Sequence, residues 1–466
     1  MRKGRIFVTK AKTLDMTTGP FLKKILLFAV PLIISGLLQL LFNAADTVIV
    51  GKFSADGDFA VSAVGSTASL INALVALAMG LGNGSGVVVA QNVGAKNSEA
   101  VKKTVHTSML LSVILGVAIG AVGFFCASPL LRLMNAPDEV IGLAALYVKI
   151  YFLGLPVQLI YNFGSAILRS IGDTTRPLIF LGIAGVLNVG LNILFVVGFN
   201  MSVAGVALAT VISQTVSAAL VVIYMKKQNN DCRLYIKDLK IHTKSLTQTL
   251  YIGIPAGLQG MIFSVSNTIL QATINTFGPL AMAGSAAATS VANFIFIPMN
   301  SIHHASTSFI GQNTGAKKIE QIKKLIFMLN GIAMAMGVVL TIPIVIYGKF
   351  FLGIFTSTEE AIIYGYTHLV VLCVPYFICG AMDVTVGCIR GMGTSLAPML
   401  VSIFGVCGFR FLWIWVIFPF IKGMVENSYQ QYFFLFLSYF ISWAITLTLQ
   451  VIICIKTYKK LKLKYT

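Results

Sequence analysis

Fifteen carboxylates are spread over 466 residues, and only two of them, Asp46 and Asp383, fall inside long apolar stretches. A charge at the centre of a membrane helix costs ~2.5–3.5 kcal/mol on insertion scales, so such a residue normally faces a cavity and serves function. A carboxyl deprived of water favours its neutral form, which equips it to take up and release a proton near neutrality. An offset of 221 residues carries Asp46 onto Asn267, and Asn162 onto Asp383. Asparagine matches aspartate in shape but does not titrate. Each half of the chain therefore holds one carboxylate and one amide at two corresponding places, in swapped order. These four positions are expected to line the space between the halves, with one carboxylate per half making ion coupling asymmetric. A second reading keeps Asp383 as a packing residue bonded to neighbouring backbone or polar groups.

The elements that must position them are membrane helices. Hydrophobic residues make up 57% of the chain and charged ones only 11%, against roughly 25% charged in a soluble domain. Apolar runs of ~20 residues recur, enough to cross a bilayer core of about 30 Å, and they are continuous rather than alternating, which selects helices over a barrel. Glycine, at 42 residues, suits close helix approach. Twelve spans are read at about 21–50, 60–91, 105–130, 139–168, 177–199, 203–226, 247–275, 280–311, 324–348, 361–389, 397–420 and 430–456. The expected fold is all-α and polytopic, with twelve transmembrane helices in two pseudo-symmetric six-helix bundles.

With the N-terminus placed in the cytoplasm, 28 Lys and Arg fall on the inner side and only four (Lys52, Arg132, Lys349, Lys422) on the outer. That asymmetry is the positive-inside rule, and it explains the net charge of +19 better than nucleic-acid binding does. Both termini are expected to be cytoplasmic. No small-residue cleavage site follows the basic leader, so the first helix is expected to be retained. The seven cysteines form no metal-ligand spacing and read as small hydrophobes.

The chain also repeats itself. Gln91-Asn92-Val93-Gly94-Ala95-Lys96 returns as Gln312-Asn313-Thr314-Gly315-Ala316-Lys317, and the same offset carries Arg169, Gly172 and Pro177 onto Arg390, Gly393 and Pro398. Ala29-Val30-Pro31-Leu32 resembles Gly253-Ile254-Pro255-Ala256 at an offset of 224. Six helices per half make the repeats parallel, related by an axis along the membrane normal with a cavity between them. The expected divisions are an N-terminal segment at 1–20, a bundle at 21–226, a basic linker at 227–246, a second bundle at 247–456 and a basic tail at 457–466.

These features resemble the multidrug and toxic compound extrusion (MATE) family over residues 20–456. The match rests on a proline-bearing first helix ending in Asn43-Ala44-Ala45-Asp46-Thr47, a QNxGAK loop after the second helix of each half, and the turns Leu168-Arg169-Ser170-Ile171-Gly172-Asp173-Thr174 and Ile389-Arg390-Gly391-Met392-Gly393. The resemblance implies a V-shaped pair of bundles that exports organic cations or similar amphipaths against an inward flow of H+ or Na+. Two departures stand out. The carboxylate that one branch carries early in the seventh helix is missing from Met261-Ile262-Phe263-Ser264. The acidic partner that another branch has in the fifth helix is replaced by Asn192, in Asn188-x-x-x-Asn192.

Other polar residues inside spans widen the candidate set. Pro31 removes a helix hydrogen bond about four turns before Asp46 and can act as a hinge or as a static kink. His303 and His304 either bind a proton or ligand or sit neutral against a neighbouring helix; being adjacent, they point about 100° apart and cannot share one metal. Arg410 needs an anion or carbonyls, and Asp383 is a candidate partner; lining the path is another. Phe42, Tyr161, Phe263, Met261, Met299 and Tyr376 lie near these positions and suit an adaptable apolar pocket for flat cations, though most phenylalanines of such a chain pack helices or face lipid. The Arg169 and Arg390 turns are expected to cap helices.

No Walker motif, nucleophile elbow, His/Asp metal set or selectivity-filter loop occurs, which argues against ATP-driven transport, an enzyme and a channel. A major-facilitator carrier would need a GxxxDRxGRR-type loop that is absent. A lipid-linked precursor flippase is the alternative carrier, but Arg410 and Lys149 are the only Lys or Arg away from the ends of spans. The reading is therefore a cation-coupled exporter of small amphipaths, with no cofactor beyond H+ or Na+, monomeric, in a bacterial cytoplasmic membrane.

Overall fold

The computed structural model describes residues 14–54, 57–133 and 138–465. Arg2, Lys3, Arg5, Lys10 and Lys12 of the expected N-terminal segment lie outside the described residues, as does Asp56. The described residues are helical almost throughout, with no strand among them. The first half contains α1 (Phe21–Phe53), α2 (Gly57–Gly94) and α3 (Ser98–Leu133). Its fourth span, α4, joins Asp138–Leu153 to Leu155–Ser170. Then come α5 (Thr175–Gly198), whose last turns Ile193–Gly198 are wound as a π-helix, and α6 (Ser202–Lys227).

A linker with one 3-10 turn, Ile236–Asp238, leads into the second half. This half holds α7 (Thr243–Asn275), α8 (Pro279–Gly315) and α9 (Ile319–Ile346). It closes with α10 (Glu359–Cys373 with Tyr376–Gly391), α11 (Leu396–Met424) and α12 (Ser428–Tyr465). All twelve spans thus correspond to apolar segments able to cross a membrane, the two bent pairs counting as one each. Several helices outrun the apolar runs that announce them: α3 begins at Ser98 and α12 continues to Tyr465. Hydropathy stops at the first lysines, whereas backbone hydrogen bonding carries on through them.

The internal repeat reaches down to backbone detail. α4 and α10 bend by 48° and 47° around Gly154 and Pro375, which are themselves 221 residues apart. Lys96 and Lys317 take positive φ of 55° and 57°, and Gly172 and Gly393 of 89° and 93°. At each of these four ends the helix closes through a left-handed residue, which lets the last carbonyls find backbone N–H partners. Asn97 and Lys318 donate to the carbonyls of Asn92 and Asn313, while Asp173 and Thr394 donate to those of Leu168 and Ile389.

The end of the molecule where the described chain begins at Leu14 and finishes at Tyr465, here the basic end, is where the halves meet. α2 lies against α7 backbone to backbone, since a Cβ on Gly84 would fall 2.6 Å from the Gly253 nitrogen and one on Gly80 would strike Gly257. Bare glycine is what allows membrane helices this approach. α1 divides its packing between the halves. Phe21, Ile25 and Phe28 join the second-half core with Ile302, Phe309 and Ile322, whereas Phe42 covers Gly185 of α5 in the first half. Contact with the second half continues past Pro31, through Leu32, Ile33 and the approach of Gly36 to Ile297, and α1 runs through the proline as one helix.

Candidate functional site

Asp46 sits on the part of α1 that packs against α5, half-buried. Its carboxylate accepts a hydrogen bond from Asn192 Nδ2 at 2.5 Å. Asn192, one turn after Asn188, also donates to Asn188 Oδ1 at 3.2 Å, and Asn188 donates in turn to Thr210 Oγ1 on α6 at 3.4 Å. Thr210 ends the series on the carbonyl of Val206. Three helices are thus tied through one carboxylate, two amides and a hydroxyl. Asn192 and Asn188 are buried, and Asn192 Oδ1 has no partner among the described residues. The π-turn begins at the residue after Asn192. Such turns widen a helix locally and recur at functional sites.

The second half repeats the arrangement with the charge reversed. Asn267, the counterpart of Asp46, accepts a hydrogen bond from Arg410 Nη1 on α11 at 2.8 Å. Arg410 also reaches Ser266 Oγ at 3.2 Å and lies 4.3 Å over the ring of Tyr439. Its Nη1 therefore goes to α7, and the ion pair with Asp383 that the sequence offered does not form. In both halves the first helix meets the fifth through one charged residue and one amide, beside a π-turn.

Asp383 and Asn162 occupy equivalent places on α10 and α4, both half-buried. The backbone carbonyl of Asp383 accepts a hydrogen bond from His303 Nδ1 at 2.7 Å, so α8 and α10 are joined there and that ring nitrogen carries the proton. His304 is half-buried with its ring 5.6 Å from that of His303. The backbone of Asn162 lies beside Gly82 of α2.

The apolar candidates divide. Met299 is buried against Gly337 and Gly380, in one cluster with Tyr376, Trp443 and the adjoining Phe263. Tyr161 is half-buried and donates its hydroxyl to the carbonyl of Pro177. Met261 is half-buried on α7. On the far halves of α1 and α7, Asn43, Thr47, Asn267 and Thr268 are exposed, and Thr47 and Thr268 occupy matching positions of the two leading helices.

Three features escaped the sequence. One is Thr210, whose helix gives no sign of facing Asn188. The second is a strap formed by residues 14–20 across the basic end, where Leu14 lies against Gly172 and buried Met16 offers its carbonyl to Asn313. Thr17 offers its carbonyl to Lys318 at 2.7 Å. The third is a reciprocal bond between repeats: Gln91 reaches the Gly391 carbonyl and Gln312 reaches that of Ser170. The repeated QNxGAK and LRxxG motifs were the available signal, but spacing alone did not say that each motif serves the opposite half. Arg390, expected at a helix cap, donates instead to Gln259 on α7 at 2.8 Å.

A multi-pass helical protein of two matched six-helix halves, joined at one end and lined by a few polar groups within its spans, is built as a membrane transporter rather than an enzyme. The chain belongs to the MatE family, whose model matches residues 31–194 and again 255–416, once in each half. Two relatives from Bacillus subtilis (strain 168) are each 28% identical. The probable multidrug resistance protein YoeA aligns over 82% of this chain and 84% of its own length, and YpnP, named likewise, over 84% and 87%. A solved structure of a multidrug resistance MATE transporter of the MOP superfamily in its outward-facing conformation superposes with a TM-score of 0.87. It covers 97% of this chain and 99% of its own at 22% identity.

Proposed function

We propose that the protein is an antiporter that exports amphipathic or cationic small molecules by alternating access, driven by inward flow of H+ or Na+ through Asp46. The observation that carries the reading is the Asp46–Asn192–Asn188–Thr210 network. It offers a cation one carboxylate together with amide and hydroxyl oxygens, one of them unpartnered. Hard oxygen donors suit sodium, and the carboxylate alone suits a proton.

The ionised carboxylate holds Asn192 by a charge-assisted hydrogen bond, which is stronger than a neutral one. Neutralising Asp46 loosens α1 from α5 beyond Pro31, while the stretch before Pro31 stays packed in the other half. The coupling residue thereby biases a hinge that spans both halves. Asp383, with Asn162 and Asn267, is the secondary polar set facing the same path. The basic end is assigned to the cytoplasm by the distribution of Lys and Arg. Its tight closure, together with the exposed polar strip on α1 and α7, supports an outward-facing state. The names of the Bacillus relatives support drug export.

The test is uptake of ethidium into inside-out vesicles under an imposed proton or sodium gradient. Wild type accumulates the dye under one gradient and Asp46→Asn does not; equal accumulation by both refutes the assignment.

A further inference from the structure

Arg410 stands at the midpoint of its span and is only 3% exposed, yet no carboxylate among the described residues pairs with it. The ion pairs among the described residues are Lys102–Asp231, Lys103–Glu99, Arg176–Asp173 and Lys462–Glu320, all elsewhere. The partners of Arg410 are neutral: Asn267, Ser266 and the face of Tyr439. Its Nε is buried without any acceptor among the described residues. A guanidinium carries five donors in a planar fork shaped for carboxylate or phosphate, and an uncompensated one within a membrane marks a functional position.

The surroundings complete a seat. Asn267, which receives Arg410 Nη1, is exposed and so stands between the guanidinium and the open face of α7. Beside it Tyr439 packs on Trp443 at 5.2 Å between ring centroids, and Trp443 on Tyr376 at 5.6 Å. Arg410, Trp443 and Tyr376 are buried and Tyr439 is half-buried, so an acidic group reaches the guanidinium when Asn267 turns aside, and its apolar body then meets Tyr439 first.

The geometry points to an anion-binding subsite in the second half, centred on Arg410 and gated by Asn267, that takes the carboxylate or phosphate of an amphipathic aromatic substrate. This deepens the proposed export function and rests on it for direction of transport. Asp46 and Arg410 then face substrates from opposite halves with opposite charge, which favours zwitterions and aromatic acids over simple cations.

Rhodamine 110, a zwitterion with a free carboxylate, and rhodamine 123, its methyl ester, differ at the one group that matters. Their binding to purified protein in micelles is read by fluorescence anisotropy, with no gradient present, so failure of ion coupling leaves the result intact. Wild type is expected to bind the acid more tightly than the ester. Arg410→Gln is expected to weaken rhodamine 110 by about tenfold or more and leave rhodamine 123 within about twofold. Asn267→Asp supplies the missing carboxylate and keeps the fold, and is expected to weaken the acid alike, so the test stands even where Arg410→Gln fails to fold. Equal binding of acid and ester by wild type, or losses that strike both dyes together, overturn the subsite. Adding phosphatidylglycerol against phosphatidylcholine separates the source of the acid. Displacement of rhodamine 110 by phosphatidylglycerol alone assigns the site to a lipid headgroup and overturns its role in export; no displacement assigns it to the transported amphipath.

Discussion

Gln91 and Gln312 make the same bond in opposite directions. Gln91 Nε2 donates to the carbonyl of Gly391 at 2.9 Å, and Gln312 Nε2 donates to the carbonyl of Ser170 at 2.8 Å. Donor and acceptor are each 221 residues from their counterparts, so the pair forms a latch that obeys the pseudo-twofold axis and closes the basic end. In the proposed alternating-access cycle this end opens, and both bonds must then break.

Replacing both glutamines by alanine removes two neutral hydrogen bonds, each contributing about 1 kcal/mol. The closed state should lose roughly 2 kcal/mol relative to the open one, a shift of about 30-fold in their ratio. Faster deuterium uptake at residues 91–97 and 312–318, with unchanged protection elsewhere, is the expected outcome. Unaltered exchange in both segments contradicts a latch.

Gly94 and Gly315 sit against the carbonyls of Gln312 and Gln91 respectively, with no room for a Cβ. Gly94→Val should therefore keep the basic end from closing and abolish accumulation of ethidium. A variant on the α2–α7 seam, Gly84→Val, acts differently: it separates two backbones along the seam and should lower the melting temperature, since overpacking costs ~1–3 kcal/mol or more. Full transport activity in Gly94→Val would show that the tight crossing is not used.

The strap at residues 14–20 touches both halves in the closed state. Its local geometry depends on Asp15, which accepts hydrogen bonds from Thr17 and Thr18. Burial works to raise the Asp15 pKa, but the bonds from Thr18 and Thr17 and the charge of Lys24 outweigh it and hold it below the ordinary carboxylate value. A depressed pKa means that this stabilisation is complete above the unfolded value and is lost only as the pH falls through the folded one. Strap attachment, followed by protease cutting at Lys23 and Lys24, should be constant from pH 6 to 8 and fail on strong acidification. Asp15→Ala should be cut faster at every neutral pH, and equal cutting rates would remove Asp15 from the account.

Asn192→Ala deletes the donor to Asp46 while leaving the carboxylate in place. A hydrogen bond to a charged group contributes about 1.5–3 kcal/mol, so gradient-driven uptake should fall by at least about tenfold. Thr210→Val, at the end of the network, should have the smaller effect of a lost neutral bond. The reverse order of severity would place the working contact nearer α6 than α1.

Much of this was legible before any fold was known. The twelve spans follow from hydropathy because the bilayer forces each to be a helix, and the 221-residue offset paired Asp46 with Asn267 and Asn162 with Asp383 as equivalent positions. Asn188 and Asn192 came into view as a pair one turn apart on one helix face. What spacing does not carry is which faces meet between helices distant in sequence. Arg410 therefore had Asp383 as a reasonable partner on charge alone, and only the packing of α11 against α7 turns it to Asn267 and Ser266. The π-turns after Asn192 and beside Arg410 rotate the helices locally, a change invisible to a regular 3.6-residue period. Thr210 and Met16 were unreadable for the same reason: a threonine in an apolar helix and a methionine before the first span give no local sign of the carbonyl or amide they will meet.

The most direct test of the central claim, that Asp46 exchanges its ion for substrate, is ion release on substrate binding. Purified protein in weakly buffered solution would receive ethidium while a pH dye and displacement of radioactive sodium are followed together. Wild type should release one of the two ions in proportion to the ethidium bound, and Asp46→Asn should bind the dye and release neither. Equal release from wild type and Asp46→Asn would contradict the account.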